Sequence, residues 1–211
     1  MFDIEFKGAN CVVISTKKST LVTDPKLSVV GLKDQVIKDA VEIATEDRFV
    51  LASTSAKLSI DSPGEYEVGD FSIRGQAAVR HLDTKDDEKK STIYRIEIGD
   101  VRIALLGNIA PHLSEDQLEF LGVIDMLIIP IGGSGYTLDA TSATALVRQI
   151  DPKVVVPVHY ADSALKYEVP QDTLETFTKE LGVEVEETSK LKVKSQTSLP
   201  QTLTVVALTR S

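Results

Sequence analysis

Two short apolar runs in the second half of the chain most constrain its fold. Residues 126–129 (MLII) and 154–156 (VVV) carry no polar side chain. A strand that is apolar at every position has both faces buried, whereas a half-exposed strand alternates between apolar and polar residues. Between the two runs, apolar residues recur at the spacing of one helical face: Ala143, Leu146, Val147 and Ile150. Buried strands flanked by helices predict an α/β sandwich with covered sheets.

The first half of the chain has the pattern of short strands joined by turns. Residues 11–14 (CVVI) and 20–23 (TLVT) predict a hairpin. Two further hairpins are predicted, one over residues 65–73 with its turn at Gly69-Asp70 and one over 93–106 with its turn at Gly99-Asp100. These hairpins precede the buried strands, which indicates a mixed sheet.

Several single elements complete the predicted order. The spacing of apolar residues predicts a short helix over residues 32–41, a strand at 49–51 and an edge strand at 58–60. Ser114 with Gln117 forms a capping-box pattern, Asp139 is a candidate N-cap, and a last helix is predicted to end at Gly182. The tail around 191–208 predicts strands, and the charge run at 84–90 (TKDDEKK) predicts a solvated loop.

Charge and cysteine content exclude several classes of function. The 211 residues contain 23 Lys+Arg and 32 Asp+Glu, a net charge of −9, which opposes general nucleic-acid binding and binding to acidic membranes. Cys11 is the only cysteine, so neither an intrachain disulfide nor a thiolate zinc cluster can form. No signal peptide or membrane span is visible and no flexible linker interrupts the pattern. We therefore expect one cytoplasmic domain over residues 1–211.

Polar residues and glycines follow the apolar strands, and sites in layered α/β proteins gather at such strand ends. The chain has only three histidines, and one of them, His159, ends the second buried strand. A histidine there is either a ligand or a hydrogen-bonded structural residue, and both interpretations stay open. The glycine turn at 132–135 precedes a helix and could hold an anion on free N–H groups. The candidate residues at strand ends are Asp24, Asn108, Gly132, Gly133, His159 and Tyr160.

Six segments occur in a recognisable order. They are TLVTDP (20–25), SPGEYEVGDFSIRG (62–75), HLD (81–83), STIYRIEIGDVRIALLGN (91–108), LIIPIGGSGYTLDA (127–140) and PKVVVPVHY (152–160). Together they resemble the metallo-β-lactamase superfamily, in the branch similar to L-ascorbate-6-phosphate lactonase. The resemblance implies a four-layer αββα sandwich with a metal site at one edge between two sheets. It also implies metal-assisted hydrolysis, in which the metal lowers the pKa of a bound water.

The sequence departs from this family at the metal ligands. The resemblance implies seven ligands: an H-x-H-x-D-H loop, a further His, a bridging Asp and a final His. Residues 45–50 (TEDRFV) stand where the loop is expected, and no histidine precedes His81. Asn108 stands in LGN where the family has LGD. His81 and His159 remain, and they would belong to different metals.

Two functions therefore stay open. The favoured one is a non-catalytic binding or scaffold protein with no catalytic residues and no cofactor, whose partner is an unknown small molecule or protein and which could form a homo-oligomer. The alternative is a lactonase- or phosphodiesterase-type hydrolase with a rebuilt mononuclear Zn or Mn site. Its candidate ligands are Asp47, His81, Asn108 and His159, with Glu46 as a further carboxylate.

A cleft is expected under either function. Arg48, inside the former ligand loop, could replace a metal as the partner of a carboxylate or phosphate. His112, beside the capping box, is either a cleft residue or a packing residue at the helix start. The residues predicted to line the cleft are Asp24, Arg48, His112, Gly132, Gly133, Tyr136 and Tyr160.

Overall fold

The computed structural model describes residues 1–51, 53–82 and 90–211. The solvated loop predicted at 84–90 lies outside these residues except for Lys90, which begins a strand. The described strands are β1 Phe2–Gly8, β2 Cys11–Ser15, β3 Thr20–Thr23, β4 Val41–Ile43, β5 Leu58–Ile60, β6 Gly64–Val68, β7 Phe71–Val79, β8 Lys90–Ile98, β9 Val101–Leu105, β10 Met126–Pro130, β11 Val154–Val158, β12 Glu184–Thr188, β13 Leu191–Val193 and β14 Thr204–Leu208. The described α-helices are α1 Glu115–Leu121, α2 Ala140–Ile150 and α3 Leu174–Leu181.

The strands form two mixed sheets that pack face to face. The first has the order β13-β1-β2-β3-β4-β5, and the second has the order β12-β14-β11-β10-β9-β8-β7-β6. In the second sheet, β9, β10, β11 and β14 are mutually parallel. Alternate residues of both sheets, among them Ile4, Ile14 and Ile128, form one buried apolar core between them. The two apolar runs lie in β10 and β11 and are buried at every position, as predicted.

The outer faces of the two sheets are covered differently. Side chains of α1, α2 and α3 pack with the outer face of the second sheet, where Phe177 of α3 is fully buried. Leu27, Val30, Ala40 and Leu165 cover the outer face of the first sheet. The predicted sandwich of the metallo-β-lactamase type is confirmed, although the layer over the first sheet consists of irregular segments and a 3-10 turn. None of the described helices is long and apolar enough to cross a membrane.

Most of the predicted local elements are confirmed. The three predicted hairpins pair as antiparallel strands, and β5 lies at the edge of its sheet. Both side chains of the capping box bond as predicted, and the Asp139 carboxylate accepts a hydrogen bond from the Ser142 N–H. Helix α3 ends at Gly182 in the left-handed conformation.

Two predicted elements are wrong, and β12 was missed. The predicted helix over 32–41 is an irregular segment, because two of its backbone N–H groups bond outside it: Gln35 donates to the Pro25 carbonyl and Asp39 to the Ser55 carbonyl. The predicted strand at 49–51 is replaced by a 3-10 turn over Asp47–Phe49. Strand β12 is mostly exposed and acidic, so its sequence lacks the apolar alternation that identifies a strand.

Candidate functional site

The candidate site lies at one edge of the sandwich, where strands of both sheets end. Thr23 ends β3, Thr45 follows β4, and Asn108 follows β9. His159 follows β11, and the loop from 131 to 139 follows β10. The tight turn between β1 and β2, at Ala9 and Asn10, reaches the same edge from the first sheet.

Thr45 fixes the segment after β4 by hydrogen bonds to Asp24 on one side and to strand β8 on the other. Its backbone N–H and hydroxyl donate to the Asp24 carboxylate at 2.7 and 2.8 Å. Its carbonyl accepts from the Thr92 N–H and the Ser91 hydroxyl of β8, each at 2.9 Å. These bonds fix the chain direction after β4, so that the next side chain, Glu46, points into the protein and is buried.

Asp24 is a buried carboxyl group with a raised pKa. Burial raises its pKa to about 7, against the two Thr45 donors, which favour the ionised form. Its backbone has a φ of 44°, a left-handed conformation that aspartate tolerates better than most residues.

We expect Asp24 to make the stability of the protein depend on pH. Its folded-state pKa of about 7 lies above the unfolded value of about 3.9, so the folded state binds the Asp24 proton more tightly than the unfolded state does. The stabilisation from this proton is fully present below about pH 4 and is lost as the pH rises through about 7. The free energy of unfolding of Asp24→Asn should therefore fall less between about pH 5 and about pH 8 than that of the wild type. Urea denaturation across this range measures the slope. Asp100→Asn, at an exposed turn, is the matched control; an unchanged slope in Asp24→Asn would contradict the assignment.

Four buried side chains form a continuous hydrogen-bonded chain across the site. Asn108 donates from Nδ2 to Oε1 of Glu46 at 3.0 Å, and its Oδ1 accepts from Nδ2 of Asn10 at 3.0 Å. Oδ1 of Asn10 lies 3.1 Å from Nδ1 of His159. At the other end, Nη1 of Arg80 lies 3.5 Å from Oε2 of Glu46. This polar chain, Glu46–Asn108–Asn10–His159, links the ends of strands from both sheets.

The carboxylate gives the polar chain a direction. Asn108 presents its NH₂ group to an oxygen of Glu46, so its own oxygen faces Asn10. Asn10 is constrained in the same way and presents its oxygen to His159. The imidazole therefore carries its proton on Nδ1, and Nε2 is left with a lone pair.

His159 is held in this orientation by its backbone as well. Its backbone N–H donates to the Ala9 carbonyl at 2.8 Å, next to the side-chain bond from Nδ1–H to Asn10. The Tyr167 ring stacks on the imidazole, with 4.9 Å between ring centres. Burial, with the positive charge of Arg48 nearby, lowers the pKa of His159 to about 3, so the ring is neutral at physiological pH.

Arg48 supplies a fixed positive charge to the site. Its Cζ lies 4.8 Å from the ring centre of Phe49 and 4.7 Å from that of Tyr136, so the guanidinium is held by cation–π contacts. Its charge favours the ionised forms of Glu46 and Asp24, against burial, which raises the pKa of both. These contacts place Arg48 beside Tyr136, another residue predicted to line the cleft.

Several buried polar atoms of the site have no hydrogen-bond partner among residues 1–51, 53–82 and 90–211. Three belong to neighbouring side chains: Nε2 of His159, the Tyr136 hydroxyl and Nε of Arg48. The ring centres of Tyr136 and His159 are 6.3 Å apart. Nδ1 of His81 is a fourth such atom, while the His81 backbone N–H donates to the Asn108 carbonyl. Buried polar groups are rarely left unsatisfied, so such a group requires an explanation.

The glycine turn approaches the site by its backbone. A Cβ on Gly132 would collide with the His159 carbonyl and the Gln171 side chain, which explains a glycine there. The Gly133 N–H donates to the Leu138 carbonyl, so it is not free for an anion as the sequence suggested.

Three predicted residues lie apart from the polar chain. Asp47 is exposed and does not turn inward as the rebuilt metal site requires, and His112 is exposed near the start of α1. Tyr160 stacks on Phe6, with ring centres 5.8 Å apart.

Sequence reasoning missed Asn10 and Arg80. Asn10 lies between two β-rich runs and reads as an ordinary turn residue, because no local pattern shows that its partners are 98 and 149 residues away. Arg80 directly precedes His81, which was the only hint of its position.

Comparison with known proteins identifies the superfamily of this chain. A family model described as a β-lactamase superfamily domain matches residues 3–159, and the chain belongs to this superfamily. A UPF0173 protein of Pyrococcus furiosus is 28% identical over 172 residues, which are 72% of this chain and 80% of that protein.

Solved structures show the same fold. A Thermotoga maritima protein, proposed to be a Zn-dependent hydrolase of the metallo-β-lactamase superfamily, has a TM-score of 0.77 at 23% identity. The match covers 99% of this chain and 98% of the Thermotoga chain. Igni18, a metallo hydrolase of Ignicoccus hospitalis, has a TM-score of 0.65 at 16% identity, over 86% and 90% of the two chains. The predicted superfamily is confirmed. Within the described residues, no group of three or more His, Cys, Asp or Glu side chains converges as a metal site requires.

Proposed function

We propose that this chain is a metal-independent member of the superfamily, a non-catalytic protein that binds a small molecule in the cleft of the hydrolase fold. The observation that carries the proposal is the polar chain. Its two amide side chains use both their donor and their acceptor atoms on protein partners.

The donor set at this edge does not fit a catalytic zinc ion. Such an ion uses three protein ligands of the His, Asp, Glu or Cys type plus a water. Asn108, where the family has a bridging carboxylate, donates to Glu46 and accepts from Asn10, so its neutral oxygen already accepts one hydrogen bond from the protein. The carboxylate of Glu46 faces Arg80, and Asp47 is exposed.

Arg48 also disfavours a metal. A divalent ion near the guanidinium would be repelled, since two positive charges a few ångströms apart in a buried site interact strongly. Held over Tyr136, the guanidinium supplies the positive charge that a metal supplies in a hydrolase, but it cannot lower the pKa of a bound water in the way a Lewis acid does. The site is therefore suited to binding rather than to hydrolysis.

Metal content tests this proposal. The protein is purified without chelator, incubated with Zn²⁺ or Mn²⁺, desalted and analysed by elemental mass spectrometry. We expect much less than one metal ion per chain, and the same content in His159→Ala as in the wild type. His112→Ala, at an exposed histidine, is the matched control. One equivalent of metal that is lost in His159→Ala and retained in His112→Ala would overturn the proposal.

The second candidate is the hydrolase with a rebuilt mononuclear site. One observation favours it: Nε2 of His159 and Nδ1 of His81 are buried without a partner among the described residues, as metal-ligating atoms would be. Phosphodiesterase and lactonase assays with added Zn²⁺ or Mn²⁺ separate the two functions. Metal-dependent turnover that disappears in His159→Ala would favour the hydrolase, and its absence with both metals would favour the binding protein.

A further inference from the structure

We propose that Arg48, Tyr136 and His159 bind a small oxyanion that also carries a hydroxyl group, of the phosphate or α-hydroxycarboxylate type. The inference rests on the proposed metal-independent function and names the ligand class of the same site. It follows from three neighbouring polar groups that are left without partners among the described residues.

His159 contributes the acceptor. The bond from its Nδ1–H to Asn10 leaves Nε2 with a lone pair inside the protein. Only a ligand group that carries a hydrogen on oxygen or nitrogen can satisfy this atom. A fully deprotonated oxyanion such as acetate or sulfate has no such hydrogen.

Arg48 contributes the charge and a donor. Its guanidinium lies with Cζ at 4.7 Å from the centre of the Tyr136 ring, and Nε has no partner among the described residues. A guanidinium stacked by its face leaves its N–H edge for a planar or tetrahedral oxyanion. Carboxylate and phosphate oxygens are the acceptors that this edge fits best.

The Tyr136 hydroxyl can act both as a donor, like Arg48, and as an acceptor, like Nε2 of His159. It can donate to an oxyanion or accept from its hydroxyl, and it is buried without a partner in the described part of the chain. The Tyr136 ring centre lies 6.3 Å from that of His159 and 4.7 Å from Cζ of Arg48, so the three side chains form one cluster. An anion gains a favourable electrostatic interaction with Arg48 that a neutral ligand lacks.

Two matched pairs of probes test the ligand class. Inorganic phosphate at about pH 6, where phosphate groups retain a proton, is compared with sulfate, and glycolate is compared with acetate. Each is titrated calorimetrically into the full-length protein after metal removal with EDTA. We expect saturable binding of phosphate or glycolate with a dissociation constant of about 1 mM or below. The member of the pair without a hydroxyl should bind about tenfold more weakly, because a site built for a hydroxyl rejects the analogue that lacks it.

The variants locate the binding. Arg48→Met should abolish the binding of phosphate or glycolate. Tyr136→Phe, which removes only one oxygen, should raise the dissociation constant about tenfold. Arg148→Met removes an exposed arginine of α2 and should leave it unchanged. Circular dichroism establishes that each variant is folded, and Tyr136→Phe keeps the test valid if Arg48→Met does not fold.

Three results would overturn the inference. One is the absence of saturable binding for both phosphate and glycolate at about 10 mM, well above the expected dissociation constant. Another is that sulfate binds as tightly as phosphate and acetate as tightly as glycolate, which would mean that Nε2 of His159 accepts no hydrogen bond from a ligand hydroxyl. The third is binding that survives both Arg48→Met and Tyr136→Phe. Since the titrations use metal-free protein, they can fail while the proposed function stands, whereas stoichiometric zinc that is lost in His159→Ala would overturn the proposed function whatever the titrations show.

Discussion

Replacement of Asn108 by aspartate should destabilise the protein by about 3 kcal/mol near neutral pH. The wild-type amide donates to Oε1 of Glu46 at 3.0 Å. The new carboxylate cannot donate, so two buried carboxylates would face each other at hydrogen-bond distance. One of them must take up a proton or the contact must open, and either outcome lowers the free energy of unfolding.

The expected pH dependence of Asn108→Asp follows from this like-charge contact. Repulsion raises the folded-state pKa of the carboxyl pair above the unfolded value of about 4. The stabilising proton is fully bound below that value and is lost as the pH rises through the raised pKa. The destabilisation relative to the wild type should therefore be larger at about pH 8 than at about pH 5, as measured by urea denaturation.

A second substitution provides the control for Asn108→Asp. In N108D/E46Q the donor and acceptor are exchanged, because the new amide at position 46 can donate to the new carboxylate and Asn10 can still donate to it. We expect the double variant to be more stable than N108D near neutral pH. If both variants lose the same stability, the direction assigned to the polar chain is wrong.

Gly107→Ala should cost about 3 kcal/mol of stability, the second large effect. Gly107 has a φ of 64°, and a Cβ there would lie 2.6 Å from both Cβ and Oγ1 of Thr45. The substitution therefore adds a clash to the cost of a left-handed alanine. The clash would displace the hydroxyl that donates to Asp24.

Gly99→Ala measures the backbone part of this cost, so the difference between the two variants gives the steric part. Gly99 has nearly the same φ, 62°, but a Cβ there would meet no atom within 4 Å. It should cost about 1 kcal/mol, the backbone term alone. Thermal and urea denaturation of the two variants give the difference. Equal costs would show that Thr45 yields without loss and does not anchor the segment after β4.

The fold could be predicted from the sequence because its signals are local. The apolar runs of β10 and β11, the hairpin turns at Gly69 and Gly99 and the caps of the helices each depend on neighbouring residues. The segment at 32–41 misled the prediction because its apolar spacing serves packing against the first sheet without a helix. Tertiary hydrogen bonds to Pro25 and Ser55 decide its path.

The site could be predicted only in part. The polar residues at strand ends and the family resemblance pointed to the edge of the sandwich where Arg48 and His159 lie, because strand ends meet there. The polar chain could not be found in this way, since Asn10 has no distinguishing pattern and its partners are remote in sequence. The inward direction of Glu46 depends on how Thr45 is held by Asp24 and β8, which only the folded structure determines.

The polar chain also bears on the order of folding. Its bonds join residues 62, 98 and 149 positions apart in sequence. Contacts of such separation require large loops to close and form slowly, after local hairpins have formed. They also require that both sheets exclude water from the same edge, because a half-formed buried network is costly. The edge that carries the candidate site is therefore assembled late, when the β1–β2 turn docks against the end of β11.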